Sequence, residues 1–304
     1  MIHGTHNAEE DLRNNDVWIY INDEFFRRAD AKISVFDSGY LVGDGVWEGV
    51  RFHHGKLVFI DDHLKRLWSA AKATGIKLPF SKAALILNIQ ETISKNKMHD
   101  GVHIRIMITR GIKKTPSQDP RLTISGPNLV IIAEYKKASS SSKGRGVRLF
   151  TSTIRRGRPD YLDPKLNCHS KLHEVQALIQ AIEAGADEAL MLDVNGFVST
   201  CNATNFFIVK DGEVWTSTGA YCMNGITRQK VIELCHQNNI ACHQKNFSLY
   251  DAYSADEAFV TGTFGGLTPV VSIDGKPIEN NGIGLVRAKL DQLYDQLIAD
   301  ESKP

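Results

Sequence analysis

An α+β fold in two domains is what this chain of 304 residues predicts, and three patterns predict it. Residues 103–110 (HIRIMITR) alternate with period two, so they read as a strand with His103, Arg105 and Met107 on one face and Ile104, Ile106 and Ile108 on the other. Leu172, Val175, Leu178, Ile179 and Ile182 recur at steps of three and four, the mark of a helix with one apolar face. Between them, residues 135–145 (YKKASSSSKGR) are polar, carry four successive serines and can bury almost nothing. This divides the chain into domains at 1–137 and 146–304, with a linker at 138–145.

The elements follow in order. Residues 17–21 and 24–27 pair as strands around Asn22-Asp23. Gly39, Gly43, Gly45 and Gly49 make the next stretch too flexible for a plain strand, and 50–53 with 56–60 form a hairpin through His54-Gly55. Asp61 or Asp62 is expected to N-cap a helix whose apolar face holds Leu64, Leu67, Trp68 and Ala71. A second helix is expected at 81–95, a loop at 111–121 and a buried strand at 129–134. Beyond the linker come a strand at 147–152, the helix from Leu172 with Gly185 at its C-cap, and a strand at 188–193. A turn at Asn195-Gly196, further strands within 197–209, a helix at 229–236 and a buried strand entering Thr261-Gly262-Thr263 complete the pattern.

Composition narrows the function. Lys+Arg number 36 against 35 Asp+Glu, a net charge of +1, which argues against nucleic acid or an anionic membrane surface as the main partner. No apolar run approaches a membrane span, and the opening MIHGTHNAEEDLRNND is polar, unlike a signal peptide. Five cysteines without a CxxC suit the reducing cytoplasm, and eleven scattered histidines without an HExxH spacing predict no metal.

Several residues point to an anionic small molecule. Arg51, at a strand end beside small residues, is either a surface charge or a partner for a buried anion. Arg105 offers two parallel hydrogen bonds, the chemistry that holds a substrate carboxylate, unless it is simply solvated; Arg121 is a second candidate. Gly225-Ile226-Thr227 leads into a helix and presents free N–H groups and a positive dipole end to a phosphate. Gly262 and Thr263 can add further donors. A lysine just ahead of a helix that is followed by a hairpin suits a Schiff-base amine beside a flat cofactor.

The segment GDGVWEGVRFHHGKLVFIDDHLKRL, with NGITR and TGT following in that order, resembles the class IV aminotransferases over about residues 17–295. These are the fold-type IV enzymes that use pyridoxal 5′-phosphate (PLP). The resemblance implies a small N-terminal α/β domain and a larger C-terminal domain with a β-barrel-like sheet core. It implies PLP as cofactor, an amino acid and a 2-oxo acid as substrates, and a homodimer. It places Arg51, Gly225, Ile226, Thr227, Gly262 and Thr263 on the cofactor phosphate, and Arg105 on the side facing the substrate.

The chain departs from that family in its central stretch. Aligning LHEVQALIQAIEAGADEALMLD without gaps sets the family's lysine column at Asn167, which cannot condense with an aldehyde. Lys171 near the cofactor's phenolic oxygen, Lys165 through a short insertion, or no lysine at all are the alternatives. Thr200 stands where the family carries the glutamate that holds the pyridine nitrogen protonated, and Asn202 and Thr204 stand where small residues are usual. An aminotransferase is the expected function. A non-catalytic protein that binds PLP or another phosphate, and a lyase of the aminodeoxychorismate lyase type, are the alternatives.

Overall fold

The structure is a computed structural model that describes residues 4–5, 8–137, 144–278 and 284–301. The linker expected at 138–145 falls mainly on 138–143, outside the described residues. The chain forms two compact units. One comprises Glu10–Lys137, Asn167–Lys171 and Glu301–Pro304; the other comprises Met1–Glu9, Ala138–Leu166 and Leu172–Asp300.

The N-terminal unit is built on a six-stranded antiparallel sheet. Its elements are β1 (Trp18–Ile21), β2 (Glu24–Arg27), α1 (Ser38–Val42), β3 (Gly45–His53), β4 (Lys56–Leu57), α2 (Ile60–Ala73), α3 (Lys82–Lys95), β5 (Val102–Thr109) and β6 (Asn128–Tyr135). The order across the sheet is β2-β1-β6-β5-β3-β4. The alternation read from 103–110 holds: Ile104, Ile106 and Ile108 are buried and the intervening side chains are half-buried. α2 packs on β3, and α3 on β1 and β6. Leu64 and Leu67 of α2 and Leu85 and Ile89 of α3 are fully buried, each worth about 1.5–3 kcal/mol of apolar transfer. Glu48, fully buried on the helix-facing side of β3, accepts from Arg66 Nε at 2.6 Å and Nη2 at 2.8 Å, and lies 2.8 Å from His63 Nδ1.

Two expectations in this unit need correction. The glycine-rich stretch does form strand: β3 begins at Gly45, and a short helix, α1, precedes it. Glycine is needed there for space, since a Cβ on Gly45 would lie 2.7 Å from Ile108 O and 2.8 Å from the His169 ring. The N-cap of α2 is Phe59 in the left-handed region, while Asp61 and Asp62 sit in the first turn, where they complement the helix dipole.

The C-terminal unit carries β7 (Val147–Thr151), α4 (Leu172–Glu183), β8 (Glu188–Leu192), β9 (Val198–Cys201), β10 (Asn205–Lys210) and β11 (Glu213–Thr216). α5 (Ile226–Gln237), β12 (Cys242–Gln244), α6 (Leu249–Tyr253), β13 (Glu257–Gly262), β14 (Gly266–Ile273), β15 (Lys276–Pro277) and α7 (Leu285–Glu301) follow. Eight strands run in the order β12-β11-β10-β13-β14-β7-β8-β9, with β15 paired to β14. β9 ends that path, yet a short turn joins it to β10, and Cys201 N donates to Thr204 O. The sheet must therefore curl back on itself, giving the α+β architecture its barrel-like core of Val147, Leu190, Phe206, Ile208, Val260 and Val270.

α4 reverses the expected burial. Its buried residues are Ala177 and Ala181, which pack on Ala189 and Met191 of β8. Leu172 is 70% exposed and Ile182 59%. Small side chains let the helix axis close onto the sheet, and the larger apolar stripe turns outward. Among the described residues no helix is long and apolar enough to cross a membrane.

Candidate active site

In the C-terminal unit one group of candidate donors lies at the start of α5. The expected helix at 229–236 begins earlier, so Ile226, Thr227 and Arg228 form its first turn. Gly225 caps it with extended backbone and no side-chain hydrogen bond, which leaves the leading N–H groups and the positive dipole end available. Asn205 fastens this terminus to the sheet. Its Oδ1 accepts from Gly225 N at 3.2 Å, and its Nδ2 donates to Met223 O at 2.9 Å. Asn205 is also the residue of β10 paired with Thr261 of β13, so the N-terminus of α5 is joined through one side chain to the Thr261-Gly262-Thr263 strand end. Thr261 Oγ1 is buried and has no hydrogen-bond partner among the described residues. From behind, Arg228 Nη2 donates to Ser217 O at 2.7 Å and Gln244 Oε1 at 2.9 Å, and Thr227 Oγ1 lies 3.2 Å from Tyr294 OH of α7.

Thr200 is buried beside this cup. Its hydroxyl donates to Thr204 O at 2.7 Å and accepts a longer contact from Asn205 Nδ2 at 3.4 Å. Asn202 is turned to the sheet, where its Oδ1 accepts from Ala189 N at 2.8 Å. Thr204 Oγ1 donates to the buried Glu188 carboxylate at 2.8 Å. Asn205 escapes a reading of the sequence because a single asparagine ahead of an apolar run looks like a turn residue. An amide at the first position of a strand that otherwise buries phenylalanines is the signal.

In the N-terminal unit Arg51 and Arg105 share the sheet face opposite the helices. Gly49 pairs with Arg105 and Arg51 with His103, which sets the two arginines diagonally across β3 and β5. Both are half-buried, and neither guanidinium makes an ion pair or side-chain hydrogen bond among the described residues. The Arg105 guanidinium carbon lies 4.1 Å from the Trp47 ring centroid. Burial pulls its pKa below the ordinary value, partly countered by the charge of Glu134. Arg121 is placed differently: its side chain is 87% exposed and paired at 2.6 Å with Asp119.

The segment Asn167–Lys171 belongs to this N-terminal unit. It runs along β3: Trp47 N donates to Asn167 O at 2.9 Å, Asn167 Nδ2 to Trp47 O at 2.7 Å, and His169 N to Gly45 O at 2.9 Å. Asn167 Oδ1 and His169 Nε2 are buried without hydrogen-bond partners among the described residues. Burial holds His169 below the usual imidazole range, against the pull of Asp37. Lys171, at the end of this pinned segment, is half-buried, whereas Lys165 is exposed and lies 3.6 Å from Asp163.

The family model for amino-transferase class IV matches residues 45–273. The chain belongs to the class IV aminotransferases. It is 39% identical to the branched-chain-amino-acid aminotransferase-like protein 2 of Arabidopsis thaliana over 285 residues, covering 94% of this chain and 51% of that one. The chain therefore spans about half the length of that relative. It is 37% identical to a putative branched-chain-amino-acid aminotransferase of Methanocaldococcus jannaschii, over 92% of this chain and 96% of the other. Among solved structures, a T.th. branched-chain amino acid aminotransferase complexed with N-(5′-phosphopyridoxyl)-L-glutamate superposes with a TM-score of 0.86 at 28% identity, covering 95% of this chain and 96% of that one. This class IV aminotransferase carries Gly225-Ile226-Thr227 at the turn into α5, Thr261 at the end of β13, and Asn167 and Thr200 in its central stretch.

Proposed function

We propose that the chain is a PLP-dependent aminotransferase that moves an amino group between an amino acid and a 2-oxo acid. The observation that carries this reading is the N-terminus of α5, free of a side-chain cap and fastened by Asn205 to the strand pair that carries the orphaned hydroxyl of Thr261. Such a cup suits a dianionic phosphate, and PLP fits it. The N–H groups of Ile226 and Thr227, just past the Gly225 cap whose own N–H is held by Asn205, with Gly262 and Thr263, would hold the phosphate, and the family resemblance assigns Arg51 to the same group. When bound, PLP supplies an electron-accepting ring conjugated to a reactive carbonyl carbon.

This chain's own groups set the rest. Thr200 carries no charge and its hydroxyl proton is directed to Thr204 O, so it cannot hold the ring nitrogen protonated, and proton removal from the substrate carbon is expected to be slow relative to enzymes with a carboxylate there. Arg105, over the Trp47 ring and without an ion-pair partner among the described residues, is assigned the substrate carboxylate, with Arg121 as the second candidate. Lys171 is assigned the cofactor amine and the shuttled proton because it is half-buried at the end of a segment pinned to β3; Lys165 is the second candidate. Two domains, 1–137 and 146–304, a homodimer and a cytoplasmic location complete the proposal.

Incubation with PLP, borohydride reduction and peptide mapping test it. A reduced label on Lys171 is the expected result, and a label on Lys165 moves the amine without changing the reaction. PLP retained with no lysine labelled would overturn transfer and leave a binding protein. Release of pyruvate without a 2-oxo acid acceptor would make the protein a lyase. Sedimentation as a monomer would remove the dimer.

A further inference from the structure

We propose that His53, His54 and Asp100 bind one divalent transition-metal ion of the zinc class, at a site separate from the anion cup. The three residues come from two loops of the N-terminal unit. His53 ends β3, His54 is in the hairpin turn to β4, and Asp100 precedes β5. Each offers one ligand atom, and these atoms lie within 4.8 Å of one another, the one such group found among the described residues.

The spacing matches an ion. His53 Nδ1 is 3.0 Å from Asp100 Oδ1, and His54 Nδ1 is 3.7 Å from Asp100 Oδ2. A tetrahedral zinc with bonds of about 2.0–2.1 Å separates neighbouring ligand atoms by roughly 3.3–3.4 Å. The two distances bracket that value, so small side-chain rotations would seat the ion. Two imidazoles and one carboxylate suit zinc, nickel or copper and lack the oxygen count that calcium requires. A fourth position is left for water.

The backbone is already arranged for this. His54 has φ 46° and Gly55 φ 78°, the two positive values of a tight hairpin in which asparagine, aspartate or glycine is favoured. A histidine there goes against local preference, and it brings its ring to 4.0 Å from that of His53. The His54 backbone N–H donates to Asp100 Oδ1 at 2.8 Å, which registers the two loops and leaves Oδ2 toward the second imidazole. Side-chain exposures of 22%, 65% and 45% for His53, His54 and Asp100 give an ion free entry. Bound metal would clamp the hairpin that follows Arg51 to the start of β5.

The test is calorimetric titration of the full chain, stripped with chelator, with zinc ion alone. One equivalent is expected, with a zinc-dependent rise in melting temperature. Outer-shell partners alone are worth about 10–100-fold in metal affinity, so His53→Gln and His54→Gly should each cost at least that. His54→Gly retains the N–H to Asp100 and suits the positive φ, so this variant is expected to fold and to give a reading. His243→Ala, at a separate surface histidine paired with Glu213, should leave the titration unchanged. Absence of zinc binding by the wild-type chain, or wild-type stoichiometry and affinity in both variants, as cysteine ligation would give, overturns the proposal.

Discussion

Replacing Asn205 with alanine tests whether one side chain fastens the start of α5 to the sheet. The change removes the hydrogen bond from Gly225 N at 3.2 Å and the one to Met223 O at 2.9 Å. Each bond contributes about 1 kcal/mol net, and a buried group left unpaired costs about 1–3 kcal/mol. Gly225 and Met223 are only partly buried, so water recovers some of that cost. A loss of about 2–4 kcal/mol is expected, confined at first to the C-terminal unit. Native-state hydrogen exchange reads this locally, with the amides of β10 and α5 compared against those of β5 in the other unit. PLP affinity, followed by absorbance, should fall by about tenfold, the equivalent of about 1.4 kcal/mol. Exchange of α5 unchanged within about 0.5 kcal/mol, the usual scatter of neutral substitutions, together with intact PLP affinity, would refute the fastening role. Lower stability with intact affinity would separate the fastener from the cup.

Three further outcomes are expected. Thr261→Val should leave the stability of the cofactor-free protein within about 0.5 kcal/mol, because the hydroxyl has no partner to lose, yet it should weaken PLP retention in equilibrium dialysis. Arg105→Lys keeps the charge and loses the planar fork, so KM for the amino acid should rise with little change in kcat; an unchanged KM would remove the carboxylate assignment. Glu48→Gln should destabilise the N-terminal unit by about 3–5 kcal/mol by breaking a buried ion pair. Burial pushes the Glu48 carboxyl up, but Arg66 and His63 outweigh it and hold it below its ordinary value of 4.5. A depressed folded pKa stabilises above the unfolded value and loses that contribution as pH falls through the folded one. Acid unfolding of the wild type should therefore steepen below that range, and the Gln variant should lack the extra slope.

Much of the fold is legible in the sequence because burial follows period. β5 alternates from Val102 to Ile108, and the start of α3 is marked by Ser81, whose side chain accepts from Ala84 N. The glycine-rich approach to β3 misleads because conformational freedom and close packing leave the same letter in a sequence. Only the positions of Ile108 O and the His169 ring distinguish them. α4 misleads for a related reason: periodicity shows that a stripe exists, and packing against β8 selects the alanine side. For the candidate site, the turn into α5 at Ile226-Thr227 is readable because free N–H groups belong to any helix start. Asn205 is not, since its hydrogen bonds to Met223 and Gly225 depend on residues about twenty positions away. Lys165 and Lys171 have equal claims by letter, and burial separates them.

The short segment Asn167–Lys171 has a consequence for how the protein is made. Asn167 closes its side-chain hydrogen bond with Trp47 across a sequence separation of 120 residues. On a ribosome working from the N-terminus, the residues of all six strands of the first sheet are synthesised before the backbone that covers the start of β3. Until Asn167, Cys168 and His169 emerge, Trp47 N–H and Gly45 C=O lie on an open strand edge. A chain severed in the serine-rich stretch would thus yield a first half with an exposed pairing edge, and such a fragment should self-associate unless a peptide spanning 167–171 is supplied.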